Sequence, residues 1–254
     1  MGSAEDRAPW LYGDGASCDS NRTIPDRTWR VILLGAPGVG KGTQAEMLSN
    51  WLGACHLSTG DIFRAARCLA PGELTPAMRE ALGYMKRGEL VPDDIVIALV
   101  SERLRCLKCM YGFLLDGFPR TLTQAQTLDA LMGEHRLTFD AVLSFDLDEA
   151  EVIERLSGRR TCLQCKTTFH LSGKPPRTEG VCDRCGGALY QREDDCPEAI
   201  AVRLRAYRDS AAPLEEYYER KGLLRRIDAS GTPEEVFSRA MAALERTASP
   251  PAGA

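Results

Sequence analysis

The sequence predicts an α/β fold in which helices cover both faces of a five-stranded parallel sheet. Five short apolar segments, bounded by polar or glycine residues, alternate with helical patterns. Short and wholly apolar strands are typical of a parallel sheet that is buried on both faces. Strand and helix repeated in this way indicate a doubly wound core. The predicted strands are residues 31–34, 54–57, 113–115, 141–145 and 223–227, and the clearest predicted helices are 44–52, 93–104, 149–156 and 197–208.

A glycine-rich turn follows the first predicted strand and leads into the first predicted helix. Its glycines let successive backbone N–H groups converge on an anion, and the helix directs its positive end at the same anion. Lys41 would reach the outer phosphates. Gly42 stands where the strict motif has Ser or Thr, so we expect Thr43 to supply the hydroxyl on the Mg²⁺ side. The predicted phosphate loop consists of Gly38, Val39, Gly40, Lys41, Gly42 and Thr43.

Composition and charge indicate a compact enzyme rather than a nucleic-acid-binding or membrane protein. The 254 residues are 44% hydrophobic and 27% charged, and the net charge of −4 argues against a general nucleic-acid surface. No apolar stretch approaches the ~18 residues of a membrane span. Residues 1–26 lack the apolar region of a secretory signal. We expect a cytoplasmic, monomeric protein, with residues 1–28 a mostly disordered extension and residues 246–254 a disordered tail.

Four cysteines in two regularly spaced pairs predict a metal site. Cys162 and Cys165 form one C-x-x-C pair, and Cys182 and Cys185 form the second after sixteen residues. Two such pairs present four thiolates to one tetrahedral ion. Zinc suits this ligand set, and iron is the alternative. Disulfides are the other interpretation, which a reducing cytoplasm disfavours.

A third C-x-x-C pair lies at the end of a predicted helix. It consists of Cys106 and Cys109, and together with Cys68 it would offer three ligands for a second metal or redox site. A fourth ligand is not evident, and buried free thiols are common in proteins. Both interpretations stay open at this point.

Further charged residues lie where open α/β sheets place their ligands. A segment with Arg64 follows the second predicted strand, and a segment with Asp116 and Arg120 follows the third. Each arginine alone is typical of a solvated surface charge. Together they suit phosphoryl transfer, which is catalysed by positioning and by cations that stabilise dispersed charge. Other arginines flank the cysteine segment, namely Arg155, Arg159, Arg160, Arg192 and Arg203.

Five motifs in this order resemble the adenylate kinase family. They are residues 35–43, 58–61, 88–91, 116–120 and 192–195, and the four-cysteine insertion is similar to the zinc-bearing lid of that family. The resemblance covers residues from about Arg30 to Leu244. It implies reversible transfer of a phosphoryl group from MgATP to AMP, which gives two ADP. The implied architecture is a P-loop kinase core (29–58, 91–158 and 196–245), an AMP-binding insertion (59–90) and a zinc-ribbon-like lid (159–195).

The resemblance also implies roles for matching residues. Mg²⁺ would be held by Thr43 and, through water, by Asp116. Asp194 and Asp195 would orient arginines as the lid closes, and Gln124 would bond the base of AMP. ATP would bind the phosphate loop with Arg155, Arg159, Thr168 and Phe169. AMP would bind Thr59, Arg64, Glu89, Leu90, Val91, Gly117, Phe118, Pro119, Arg120, Gln124, Arg192 and Arg203. The implied catalytic residues are Lys41, Arg120, Arg159, Arg192 and Arg203.

Two other functions stay open on the sequence alone. A related nucleoside monophosphate kinase with another acceptor base would use the same loop and arginines. The acceptor pocket of Thr59, Val91 and Gln124 would discriminate between these kinases. A non-enzymatic zinc-ribbon module would use the cysteines to bind a partner. Lys41 and the phosphate arginines argue against such a module, because it does not require them.

Overall fold

The computed structural model describes residues 8–12, 24–67, 69–70, 72–86 and 91–248. Within them lie eight strands: β1 (Trp29–Gly35), β2 (Cys55–Ser58), β3 (Gly112–Asp116), β4 (Ala141–Asp146), β5 (Arg159–Cys162), β6 (Thr168–His170), β7 (Leu189–Tyr190) and β8 (Leu224–Asp228). The helices are α1 (Ala8–Tyr12), α2 (Lys41–Leu52), α3 (Thr59–Ala66), α4 (Pro76–Lys86), α5 (Asp93–Ser101), α6 (Leu104–Leu107), α7 (Leu122–Glu134), α8 (Glu149–Ser157), α9 (Pro197–Arg220) and α10 (Pro233–Ala248). No helix in these ranges is long and apolar enough to cross a bilayer.

Five strands form one parallel sheet in the order β2-β3-β1-β4-β8. All five predicted strands are confirmed, with ends that differ by one or two residues. Leu33 of β1 and Ser58 of β2 both pair with Asp116 of β3, so the carboxyl ends of these strands lie at one edge of the sheet. The chain order reverses at β1, and ligands of open α/β sheets bind at such a point.

The sheet separates two apolar layers. Alternate residues of β1 point to opposite faces, so Ile32 and Leu34 pack in one layer while Val31 and Leu33 pack in the other. The first layer contains α1, α3 to α7 and the end of α9. The second contains α2, α8, the start of α9 and α10. Burial on both faces explains why the strands are apolar throughout.

A second, three-stranded antiparallel sheet lies in the chain between α8 and α9. Its order is β6-β5-β7, and its apolar cluster of buried residues consists only of Cys162, Phe169 and Cys182. The predicted cysteine insertion therefore forms a small separate layer. We call residues 159–195 the lid.

Two described segments within the predicted disordered extensions are helical. Within the extension expected to be disordered, residues 8–12 form α1, and the Trp10 side chain is fully buried because its large apolar ring packs in the first layer. At the other end, α10 continues to Ala248, three residues into the predicted tail. Residues 1–7, 13–23 and 249–254 lie outside the described ranges.

The predicted helix 93–104 is interrupted. The helix α5 ends at Ser101, and the backbone turns at Arg103 before α6 begins. The turn directs the Arg103 side chain into the interior, where it donates to the carbonyls of Leu99 and Trp10 at 2.6 Å each. Sequence periodicity does not detect this turn, because the buried group is a charged arginine.

Candidate functional site

The glycine-rich loop between β1 and α2 has the backbone that the phosphate loop requires. Gly38 and Gly40 have φ values of 92° and 96°, in the left-handed region that favours glycine. A Cβ atom at Gly38 would lie 2.6 Å from the Leu156 side chain, so only glycine fits there. The N-terminus of α2 follows at once and adds its partial positive charge to the N–H groups of the loop.

Lys41 is the centre of a cluster of charges. Its Nζ donates to the carbonyls of Gly35 and Ala36 at 2.6 and 2.8 Å. The pKa of Lys41 is lowered to about 8: burial is the largest cause, the negative charge of Asp116 opposes it, and the charges of nearby arginines add to it. Charge effects of this kind act over short distances. The arginines that act on Lys41 are Arg120, Arg203 and Arg159.

Asp116 is the carboxylate of this cluster. Burial raises the pKa of Asp116, but a hydrogen bond and charge from His56, with the charges of Lys41 and Arg120, outweigh burial and lower the pKa. The His56 Nε2 lies 3.3 Å from Asp116 Oδ2. Asp116 is therefore ionised at neutral pH. His56, which the sequence analysis did not include in the site, orients this carboxylate.

The arginines come from separate parts of the chain. Arg120 follows β3, and its Nε donates to the Gly117 carbonyl at 2.7 Å. Burial lowers the pKa of Arg120; Asp116 raises it, whereas Arg203 and Arg64 lower it. Burial together with Arg159 and Arg64 lowers the pKa of Arg192 to about 10. Five arginines therefore lie close enough for their charges to act on one another, and this repulsion favours binding of a polyanion among them: Arg64, Arg120, Arg159, Arg192 and Arg203.

Two aspartates at the end of the lid hold two of these arginines. The Asp195 carboxylate accepts hydrogen bonds from Arg159 Nε and Nη2 at 2.8 and 2.5 Å. Arg203 Nη1 donates to the Asp194 carbonyl at 2.8 Å and lies 2.9 Å from Asp194 Oδ2. The first contact joins the two ends of the lid, and the second joins the end of the lid to α9. Arg159 of the lid and Arg203 of α9 are thus each paired with a carboxylate.

The residues predicted to meet AMP lie beside this cluster. Thr59 is buried at the start of α3, and its Oγ1 donates to the Asp116 carbonyl at 3.4 Å. A Cβ atom at Gly117 would lie 2.7 Å from that Oγ1, and Gly117 has φ 82°. Arg64, on the next turn of α3, pairs with Asp61 at 2.5 Å. Phe118 is buried, and its peptide bond to Pro119 is cis.

The Gln124 amide differs from the expectation of a group exposed to a base. Gln124 is almost fully buried, its Oε1 accepts from the Arg120 N–H at 2.8 Å, and its Nε2 donates to Asp93 Oδ1 at 2.7 Å. The second Nε2 hydrogen and the second lone pair of Oε1 are left for a ligand in this arrangement. The sequence analysis did not identify Asp93 as a site residue, because nothing in its local pattern connects it with Gln124, which lies 31 positions later. Val91 is half-buried, and Glu89 and Leu90 lie outside the described residues.

Residues predicted on the ATP side lie around the glycine-rich loop and in the lid. Arg155 Nη2 donates to the Ala229 carbonyl at 3.1 Å, and its Nη1 lies 3.4 Å from the Val39 carbonyl oxygen. Arg155 thus connects α8, the phosphate loop and the turn after β8. In the lid, Thr168 is exposed, but the Phe169 ring is buried in the cysteine cluster. The Phe169 ring is therefore not available to a nucleotide, and only the backbone of Phe169 could contact one.

The four lid cysteines could hold one metal ion. The Sγ atoms of Cys162, Cys165, Cys182 and Cys185 lie within 4.8 Å of one another, and two of the pairs are 3.5 Å apart. A tetrahedral ion with bonds of about 2.3 Å to sulfur separates its ligands by about 3.8 Å. Burial raises the pKa of Cys165, but hydrogen bonds with Thr167, Cys185 and Cys182 outweigh burial and lower this pKa to about 6. This favours the thiolate form of Cys165, whereas hydrogen bonds with the neighbouring lid cysteines raise the pKa of Cys185 to about 11.

The other proposed ligand sets are less complete. Among the described residues, the lid cysteines are the one group of three or more His, Cys, Asp or Glu side chains that could hold a metal. Cys106 is buried and Cys109 half-buried, and Cys68 lies outside the described residues, so the second predicted site is not tested. Thr43 lies exposed on the first turn of α2 and Asp116 at the end of β3, both beside Lys41 in the fold.

A doubly wound sheet with this loop and these cations defines an enzyme class, the P-loop phosphotransferases. Residues 33–223 match the family model described as Adenylate kinase. An adenylate kinase of Carboxydothermus hydrogenoformans is 49% identical over 217 residues, 85% of this chain and 100% of the relative. Adenylate kinases of Syntrophobacter fumaroxidans and Acidothermus cellulolyticus are 47% and 49% identical, over 84% and 85% of this chain and 99% and 97% of their own lengths.

The chain therefore belongs to the adenylate kinase family. It is an enzyme, a nucleoside monophosphate kinase, that transfers a phosphoryl group from ATP to AMP and gives two ADP. Kinase activity implies Mg²⁺ with the ATP.

Proposed function

We propose that the phosphoryl group crosses from ATP to AMP within the charge cluster around Lys41. The observation that supports this is the convergence of Lys41, Arg120, Arg159 and Arg203, whose charges act on one another from four separate elements. Cations this close repel each other and stabilise the fold poorly. They suit a site where a polyphosphate neutralises them and where negative charge spreads over the transferred group.

The ATP side of the proposed site is the glycine-rich loop. The β- and γ-phosphates bind to the N–H groups of residues 38–43 and to the N-terminus of α2. Lys41 Nζ then donates to phosphate oxygens instead of the carbonyls of Gly35 and Ala36. Arg155 stacks on the adenine, since it lies beside both this loop and the Ala229 turn. Thr168 and the backbone of Phe169 cover the nucleotide from the lid.

The AMP side lies between α3 and the turn after β3. Thr59 and Arg64 hold the phosphate of AMP from α3, and Gly117 to Arg120 hold it from the turn. The absence of a Cβ at Gly117 lets the phosphate approach the backbone. Gln124 reads the base through its second Nε2 hydrogen, with Asp93 and the Arg120 N–H fixing the amide. Val91, Glu89 and Leu90 line the base pocket in this proposal.

Mg²⁺, when bound, neutralises charge on the phosphates. The donor set suits it, since Asp116 is an ionised carboxylate and Thr43 a hydroxyl at the loop. Asp116 would hold the ion through water. No side chain acts as a nucleophile here, because the phosphate oxygen of AMP attacks. The chain contributes orientation, with Asp195 and Asp194 aligning Arg159 and Arg203.

We propose zinc as the metal of the four-cysteine site, because four thiolates in tetrahedral spacing are its usual structural ligands. Such a closed site stabilises the lid and leaves catalysis to the nucleotide site. The protein is proposed to be a cytoplasmic monomer. Support comes from the lid cysteines and Cys196, which form no disulfide, and from exposed large apolar side chains that lie scattered over different elements of the described chain.

A coupled assay tests the acceptor. ATP is offered with AMP, CMP, UMP or GMP, and ADP formation is followed. AMP should exceed CMP and UMP at least tenfold in kcat/KM, about 1.4 kcal/mol of discrimination, because a fixed amide pairs with one base edge. Equal or faster turnover of a pyrimidine nucleotide would favour a kinase with another acceptor base.

A further inference from the structure

The N-terminal helix α1 lies against the acceptor side of the enzyme. It packs on α3, which carries Thr59 and Arg64, and on α6. The family model begins at residue 33, so α1 precedes the part of the chain that the family shares. None of the roles described above involves α1, yet the side chain of its residue Trp10 is fully buried.

Trp10 is bonded to the residue that starts the acceptor helix. Its indole Nε1 donates to the Ser58 carbonyl at 2.9 Å, and Ser58 is the last residue of the edge strand β2. The Ser58 carbonyl and the Thr59 nitrogen belong to one planar peptide unit. A bond that fixes this carbonyl therefore also fixes the orientation in which Thr59 enters α3.

The same helix packs against the buried side of α3. Trp10 and Leu11 belong to the apolar layer that contains Ile62 and Ala66. These two residues lie three and seven positions after Thr59, so all three lie on one side of the helix. Arg64 lies partly exposed on another side of α3. Packing on the buried side thus sets the direction in which Arg64 projects.

A buried arginine fixes α1 to the core. Arg103 is fully buried, and its Nε donates to the Trp10 carbonyl at 2.6 Å while its Nη1 donates to the Leu99 carbonyl at 2.6 Å. Hydrogen bonds from a charged donor are stronger than neutral ones. A continuous series of contacts therefore runs from α5 through Arg103 and Trp10 to the Ser58–Thr59 peptide.

We propose that Trp10 is a positioning residue for the acceptor site. It holds the start of α3 so that Thr59 and Arg64 face the phosphate of AMP. This rests on the proposed assignment of these two residues to AMP. In the proposed site ATP is bound by the glycine-rich loop, Arg155 and the lid, whereas the helices that α1 packs on most are α3 and α6. Loss of Trp10 should therefore affect one substrate and leave the other.

The test compares KM values for both substrates in the full-length protein. Trp10→Ala removes the ring and the bond, whereas Trp10→Phe keeps the packing and removes only the Nε1 donor. We expect KM for AMP to rise about tenfold in Trp10→Ala and to a smaller degree in Trp10→Phe. KM for ATP should stay within about twofold in both. If Trp10→Ala does not fold, Trp10→Phe decides.

Leu244→Ala is the matched control for lost stability. Leu244 is fully buried in α10, in the other apolar layer. This variant should lower the melting temperature but leave KM for AMP unchanged. Arg64→Ala tests the acceptor assignment independently and should raise KM for AMP. If Arg64→Ala has no such effect, the assignment is wrong. If Arg64→Ala does raise KM for AMP, two results would overturn the role of Trp10. In the first, both Trp10 variants leave KM for AMP unchanged. In the second, they raise the KM values for AMP and ATP alike.

Discussion

Asp195 holds Arg159 with both carboxylate oxygens, at 2.8 and 2.5 Å from Nε and Nη2, although the Asp195 side chain is fully buried. The planar fork of a guanidinium and a carboxylate match in this geometry. The contact spans the lid, because Arg159 begins β5 and Asp195 precedes α9. One fixed pair thus closes the base of the lid and aligns an arginine with the charge cluster.

Asp195→Asn should lower kcat at least ~10-fold, because an amide of the same shape cannot accept both Arg159 bonds and a misaligned cation stabilises the transition state poorly. Steady-state kinetics at saturating ATP and AMP measure this. Glu149→Gln is the control, since it removes the charge of an exposed pair with Arg208 at 2.6 Å. Exposed pairs contribute about 0–1 kcal/mol, so kcat should not change there. Unchanged kcat in Asp195→Asn would contradict the aligning role.

Arg120→Ala should lower kcat by ~10² or more, because Arg120 lies at the centre of the proposed transfer site. Arg120→Lys should not restore it, since a lysine lacks the planar fork that grips two phosphate oxygens. Arg220→Ala, on an exposed turn of α9, is the control and should retain full activity. Near-normal kcat in Arg120→Ala, with an unchanged circular dichroism spectrum, would refute the assignment.

The pH profile of kcat/KM for MgATP should fall above about pH 8 because Lys41 loses its charge there. Burial lowers its pKa from 10.5 to about 8, so its charge is lost above that pH and kcat/KM for MgATP should fall. Bound phosphates raise the pKa, so the corresponding limb in kcat should lie at higher pH. The residual activity of Lys41→Met should lack the limb. A kcat/KM that stays level through pH 9 would contradict this prediction.

The same pKa predicts the effect of Lys41 on stability. The folded chain releases this proton near pH 8 and the unfolded chain near 10.5. Between these values the unfolded state binds more protons, so the contribution of Lys41 to the free energy of unfolding rises with pH. Below pH 8 the charged, half-buried lysine destabilises the fold. Lys41→Met should therefore keep or raise the melting temperature at pH 7 while activity is lost, and a clear fall in melting temperature would be the opposite result.

Most of the fold could be predicted from the sequence, because strands buried on both faces leave continuous apolar runs such as residues 31–34. The sequence also predicted that Lys41, Asp116 and Arg120 lie close together, because the carboxyl ends of parallel strands lie at one edge of the sheet. What could not be predicted depends on contacts distant along the chain. Asp93 bonds Gln124 across 31 positions, and Trp10 bonds Ser58 across 48. No local periodicity records either contact.

Asp93 should control the acceptor base through Gln124. Its Oδ1 fixes the Gln124 Nε2, so Asp93→Asn permits the amide to turn over and present its oxygen instead. The preference for AMP over CMP, measured as the ratio of kcat/KM values, should be several-fold smaller than in the unchanged enzyme. Asp94→Asn is the control, because the neighbouring Asp94 is exposed. An unaltered ratio of kcat/KM values in Asp93→Asn would mean that Gln124 does not read the base.

The four-cysteine site should stabilise the lid rather than take part in catalysis. Four thiolates fill a tetrahedral shell and leave no position for substrate, and the lid has an apolar cluster of only three buried residues. A metal bound by these thiolates would therefore take the place of a core. Zinc-finger peptides gain ~10 to 16 kcal/mol on binding metal, although a lid tethered to a stable sheet should show only part of this. We expect one zinc ion per chain in protein purified without chelators.

Cys182→Ser should lower the melting temperature and retain kcat within about tenfold at temperatures where the lid is folded. Cys196→Ser is the matched control: this exposed cysteine lies at the start of α9, outside the cluster, and its loss should change neither quantity. Differential scanning fluorimetry with and without a chelator, combined with elemental analysis, measures the metal contribution. If iron is found in place of zinc, the predicted identity of the metal is wrong, but its structural role stands. Protein without either metal, or a melting temperature that chelation leaves unchanged, would show that the cysteines do not form a structural metal site.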